Sequence, residues 1–135
     1  MSRSVVGTFL IALATLACSN APGTDGLRDS FAQQLAANKF ISEFSRSGDT
    51  MTFKAPRPDG TPGSWEVRIQ TAAIETQSDA KQPYKGIVTS SWSVNGQEIK
   101  SSGRDSNLPL ELTSNGLGQE CWAFWEAEAK RWSWE

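Results

Sequence analysis

The apolar positions change their spacing along the chain, and each spacing predicts a different element. Val5 to Ala17, "VVGTFLIALATLA", carries no charge and is apolar on every side. Leu27, Phe31 and Leu35 then recur at i, i+4 and i+8, the stripe of an amphipathic helix over Leu27 to Ala37. Thr24 or Asp25 is expected to supply the N-cap oxygen, Asp29 to sit in the first turn, and Asn38 to stop the helix. In "KFISEFSR" the register drifts off any helical face. Read as a strand, it puts Phe40 and Phe44 on one side, and Ser47-Gly48-Asp49 turns it back into "MTFKA".

The stretch Ala55 to Ser64 has three prolines and two glycines and is expected to be a loop. "SWEVRIQT" then alternates, with Trp65, Val67 and Ile69 inward, as a half-buried strand does. "YKGIVTSSWSVNGQEI" predicts a hairpin. Asn95-Gly96 suits a two-residue type I′ turn, with Val94 facing Gln97, Ser93 facing Glu98 and Trp92 facing Ile99. "LPLEL" (Leu108 to Leu112) is expected to be a short edge strand, since Pro109 cannot donate to a ladder. A second Asn-Gly, Asn115-Gly116, falls in the next loop. In "ECWAFWEAEAKRWSWE" a turn at Ala127–Lys130 brings Trp125 opposite Trp132 and Ala123 opposite Trp134. A short helix over "WEAEAKRW", with Glu126 and Lys130 paired, is the alternative. One helix followed by five to seven antiparallel strands defines an α+β domain over residues 27–135, the helix lying against a curved sheet. Its element order is cystatin-like or that of a small barrel.

The opening run needs a separate explanation. It is too short for a membrane span, which takes about twenty apolar residues, but it suits the h-region of an export signal, about 7–15. Arg3 precedes it, and "SNAPGTDG" (Ser19 to Gly26) follows as a polar, flexible stretch. Between them, "T-L-A-C" (Thr15 to Cys18) resembles the lipobox of bacterial lipoproteins. Ala17 and Cys18 match its two most constrained positions; Thr15 replaces the usual leucine. The resemblance implies cleavage before Cys18 and acylation of its thiol, leaving 1–17 as signal peptide and 18–26 as lipidated cysteine and tether. Two or three acyl chains would anchor the domain stably. It also implies export, with the membrane as partner. In a Gram-negative host Ser19, in place of the aspartate that favours inner-membrane retention, points to the periplasmic face of the outer membrane.

Composition removes several kinds of chemistry. Histidine is absent, which takes away the commonest general base and metal ligand. With Cys18 acylated, Cys121 is the one remaining thiol, expected to be a small buried hydrophobe. The net charge is −2 and the basic residues are scattered, so no nucleic-acid surface is expected. Asp25-Gly26 and Asp59-Gly60 lack spaced oxygen ligands and suit turns better than calcium sites; no metal or cofactor is expected. Glu126 and Glu128 are two nearby carboxylates, the weak hint of an enzyme. Arg57 and Arg104, in loops, are expected to be solvated, with recognition of an anion as the alternative.

Four of the six tryptophans fall at or after position 122. As core, each buries about 150–250 Å² and needs an acceptor for its indole N–H, for which the neighbouring serines are at hand. As a surface, Trp132 and Trp134 are the candidate binding residues, a stacking platform for a sugar or an apolar partner. The expected function is therefore a non-enzymatic binding domain at the cell envelope, engaging an envelope protein. The alternative is a module for a small ligand or carbohydrate.

Overall fold

The computed structural model describes residues 21–100 and 107–135. Leu27, Phe31 and Leu35 form the buried face of helix α1 (Thr24–Ala36), with Ala32 beside them. The helix starts earlier than the apolar spacing predicts. Gly23 is its N-cap and no side chain caps it, so Thr24 and Asp25 lie within the first turn and Asp25-Gly26 is helical rather than a turn. Asp25, not Asp29, is the acid in that first turn. Asn38 does mark the stop. Its Oδ1 accepts the Phe40 N–H and its Nδ2 donates to the Glu111 carbonyl, both at 2.8 Å.

Strands β1 (Ser42–Ser47), β2 (Thr50–Pro56), β3 (Pro62–Thr76), β4 (Tyr84–Val94) and β5 (Gln97–Glu98) follow. A short helix α2 (Leu110–Thr113) precedes β6 (Glu120–Glu126) and β7 (Arg131–Trp134). All pairings are antiparallel, in the order β1-β2-β3-β4-β6-β7, with β5 paired to β4 off this path. The sheet curls into a half-barrel with α1 against it, the expected α+β class.

The curl has a local cause in β3. Ile69 faces Ser90 and Thr71 faces Thr89, so Gln70 is an extra residue without a partner position. Trp65, Val67 and Ile69 point to the core before it; Ala72 and Ile74 do so after it. Such a bulge bends the strand and tightens its twist, which wraps the long β3–β4 pair around the helix.

Several elements differ from expectation. The strand after Asn38 begins only at Ser42. Phe40 precedes it and is exposed, while Ile41 and Phe44 pack on the core. A shift between Ser42 and Ser45, with Glu43 at φ 54°, breaks its alternation. The proline-rich loop is shorter than predicted, because Pro56 pairs with Pro62 and Ala55 with Gly63 at the ends of β2 and β3. Asp59-Gly60 does lie in its turn. Thr61 donates its hydroxyl and its N–H to the Asp59 carboxylate, which lowers the carboxyl below its ordinary value. That contact is complete above the ordinary carboxylate range and is lost as pH falls through the lowered one. "LPLEL" is not a strand. Leu108 and Leu112 are buried four residues apart while Leu110 is 78% exposed, and Leu112 N–H bonds the Pro109 carbonyl as α2 begins. Alternation at 108, 110 and 112 satisfied two periods, and the helical one prevails.

The hairpins match their predicted registers. Val94 faces Gln97 and Ser93 faces Glu98 across Asn95 (φ 50°) and Gly96 (φ 82°), and Ile99 N–H bonds the Trp92 carbonyl. At the end of the chain Trp125 faces Trp132 and Ala123 faces Trp134, so the hairpin and not the helix forms.

Two glycines set how closely the layers approach. A Cβ on Gly86 would lie 2.6 Å from a Leu27 methyl and 3.2 Å from the Trp132 ring, so α1 seats directly on β4 there. At Gly116 (φ 91°) a Cβ would lie 2.9 Å from the Glu135 backbone, which closes the loop after α2 against the end of β7. Gly96 has a similar φ with open space around it. Gly96→Ala should therefore cost only the left-handed strain, about 1–2 kcal/mol. Gly116→Ala should cost on the order of 1 kcal/mol more, for displaced backbone. Urea unfolding of both variants measures the difference, and equal losses would show that the loop does not press on β7.

Candidate functional site

Two aromatic groups fill the concave face on either side of α1. On the β2–β4 side Phe53 stacks on Trp65 at 6.3 Å, and Trp92 meets both edge-on. Their N–H groups are satisfied: Trp65 donates to the Ala55 carbonyl at 3.2 Å and Trp92 to Ser90 Oγ at 2.9 Å. Ser90 in turn donates to the Gly118 carbonyl. The serine that precedes Trp92 in "SSWS" is thus the acceptor the sequence suggests.

The β6–β7 side is built differently. Trp134 donates its N–H to Ser30 Oγ on α1 at 2.9 Å and stands edge-on to Phe31 at 5.7 Å. Trp132 is 8% exposed, T-shaped on Trp125 at 5.3 Å, and its six-membered ring reaches Gly86. Trp132 and Trp134 are therefore not a coplanar exposed platform. Both are packing residues; Trp125, opposite Trp132 at the turn end of the hairpin, is half-buried against the core. The Trp132 N–H is buried and has no partner among the described residues. An orphan donor of this kind costs roughly 1–3 kcal/mol.

Between these rings and the flank of α1 runs a groove of about 420 Å³, within the range of small-molecule sites. Gly23, Gly26, Ser30 and Gln33 form one wall and Trp125, Lys130 and Trp132 the other. The helix wall follows from spacing: positions three and four apart share a face, here the polar face beside the buried stripe. Asp29 also lines the groove, and its Oδ1 pairs with Arg46 at 2.8 Å. Lys130 and Arg131, both exposed, form no ion pair among the described residues. The groove thus combines an aromatic wall, hydrogen-bonding side chains and two unpaired cations at the uncapped helix end, where the dipole is positive.

The remaining candidates are dispersed. Glu126 accepts from Gln82 while Glu128 is exposed in the turn, and the two converge on nothing. Cys121 is buried on β6 beside the Val88 carbonyl. Arg57 is half-buried against Gly63, its Nε without a partner, rather than solvated. Cys18, with the whole signal and most of the tether, and Arg104 lie outside the described residues. Among the described residues no three Cys, Asp or Glu side chains gather as a metal set. On the convex face Ile87 faces Trp122 across β4 and β6, and Lys85 lies 4.0 Å over the Trp122 ring. No family model, curated protein or solved structure matches the chain.

The packing roles predict the mutants. Trp132→Ala should destabilise the domain by about 3–5 kcal/mol, the usual cost of deleting a buried ring. Trp132→Phe should be far milder, since it removes the orphan N–H along with part of the ring. Thermal unfolding with protease sensitivity measures both, and a stable, protease-resistant Trp132→Ala protein would overturn the core assignment.

Proposed function

We propose that the chain is an exported, lipid-anchored binding module of the cell envelope with no catalytic activity of its own. The observation that carries the binding role is the groove between α1 and the β6–β7 hairpin. It presents donors, acceptors and an aromatic wall, and among the described residues Asp29 is the one carboxylate that lines it, where glycoside hydrolysis uses a facing pair. The anchoring rests on the likeness of Thr15–Cys18 to a lipobox.

The two parts fit together. Pro22 and Gly23 line the groove, four and five residues after Cys18. Fully extended, the four residues from Cys18 to Pro22 span at most about 14 Å. Acylation at Cys18 would hold the mouth of the groove that close to the bilayer. The half-exposed Ile87–Trp122 row supports the proposed envelope-protein partner, while the groove favours the second reading, a small-ligand or carbohydrate module.

Cys18→Ser should abolish the acyl mass increment and move the protein from the membrane fraction to the soluble exported fraction. Membrane fractionation with intact-mass measurement tests this. Unchanged mass and partition of the variant would refute lipid anchoring. In a Gram-negative host the wild-type protein should sediment with the outer membrane.

A further inference from the structure

We propose that the groove between α1 and the β6–β7 hairpin binds an acidic saccharide. The sugar ring lies against Trp125, and its acid group is held by Lys130, Arg131 and the first turn of α1. This rests on the binding role proposed above and names the class of ligand.

The chemistry of the walls selects that class. A pyranose has an apolar C–H face and a rim of hydroxyls, each both donor and acceptor. The electron-rich face of an indole suits the first. The second needs donors and acceptors side by side. Ser30 Oγ already accepts the Trp134 N–H, so its own proton remains to be donated. Asp29 Oδ1 is engaged by Arg46, which leaves Oδ2 as an acceptor. Gln33, exposed on the same helix face, offers both.

Trp132 lines the groove, and its six-membered ring lies against Gly86 on β4. Its N–H is closed to solvent and has no acceptor among the described residues, so this indole gives the groove an apolar wall rather than a donor.

Charge then distinguishes acidic from neutral sugars. The helix N-terminus has no side-chain cap, and Lys130 and Arg131 line the same groove without an ion pair among the described residues, although Glu126 faces Arg131 across the hairpin. These three features attract an anion. A bare inorganic anion would leave the aromatic wall and the hydroxyl-binding side chains unused. A carboxylated or phosphorylated sugar uses both, with its acid group toward Lys130 and Arg131 and a hydroxyl toward Asp29. Such a sugar reaches the envelope either as a soluble glycan or as the headgroup of a glycolipid, and the two sources share this chemistry.

The test is calorimetric titration of the full acylated chain in detergent micelles. The probes are a uronic-acid tetrasaccharide, a neutral glucose tetrasaccharide, and vesicles carrying a phosphorylated-sugar glycolipid. At least one acidic probe should bind tenfold or more tightly than the neutral tetramer, and binding should weaken as salt rises. Tight binding to the tetrasaccharide assigns a soluble glycan; binding to the vesicles alone, abolished by Arg131→Gln, assigns a headgroup. Trp125→Ala and the exposed-site variant Arg131→Gln should each lower affinity at least fivefold. Arg131→Gln leaves no core contact missing, so it reads the site even if Trp125→Ala folds poorly. Equal affinity for acidic and neutral tetramers, no binding to any probe, or unchanged affinity in Arg131→Gln would overturn the proposal. Cys18→Ser should leave tetrasaccharide affinity unchanged, so failure of anchoring and failure of the groove are read separately.

Discussion

A single helix has to cover the concave face of a sheet six strands wide, and the rest of the structure follows from that mismatch. A helix with its side chains is about 10–12 Å across, whereas six strands span about 24 Å. The bulge at Gln70 curls the sheet toward the helix. Gly86 lets Leu27 seat directly on β4. Beside the helix, buried tryptophans fill much of the remaining space, together with aliphatic residues such as Ile69, Leu112 and Leu117. On the β2–β4 flank the Phe53, Trp65 and Trp92 rings close the space. On the β6–β7 flank Trp132 and Trp134 close only the inner part, and the groove is the unfilled remainder.

Filling a core with indoles imposes a second requirement, because each buried N–H needs an acceptor. Trp65 takes a carbonyl on its neighbouring strand, Trp92 a serine two residues before it, and Trp134 a serine on the helix. These acceptors also fix position, since Ser30 can meet Trp134 only if α1 lies at one rotation about its axis. Trp132 is the exception, and it lies where the packing stops. Stability and site are therefore contiguous: Trp132 packs against Gly86 on β4 and also lines the groove.

The parts of this fold legible in the sequence were those set by local rules. The Leu27–Phe31–Leu35 stripe, the Asn95-Gly96 hairpin and the Trp125–Trp132 register each depend on residues close in the chain. The alternation at Trp65, Val67 and Ile69 is equally plain; the bulge lies just beyond it, where the apolar positions change phase to Ala72 and Ile74. "LPLEL" failed for a different reason: three leucines at alternate positions fit a strand and also leave two of them one helical turn apart. Only the core decides, by having room for Leu108 and Leu112 and none for Leu110. The groove was half legible. The polar spacing of Gly23, Gly26, Ser30 and Gln33 marks one helix face, but which strand faces it is a matter of topology. That is why Trp125 and Trp132 line the groove while Trp134 packs on Phe31.

The two ends of α1 are held by interactions of unequal strength. At its carboxyl end, Gln34 and Asn115 bond each other's carbonyls at 2.8 Å, and Asn38 bonds the Glu111 carbonyl. These contacts are partly buried, and Gly116 locks the same loop against β7. At its amino end the charged ties are the ion pairs of Arg28 with Asp49 and of Asp29 with Arg46, at 3.7 and 2.8 Å. Pairs this exposed contribute about 0–1 kcal/mol each. The same half is also held by apolar packing and one neutral hydrogen bond: Leu27 is buried against Gly86, Phe31 meets Trp134 edge-on, and Ser30 accepts the Trp134 N–H at 2.9 Å. The groove therefore lies beside the contacts that tie the helix to the β6–β7 hairpin, and its helix wall is set by the same packing that completes the core.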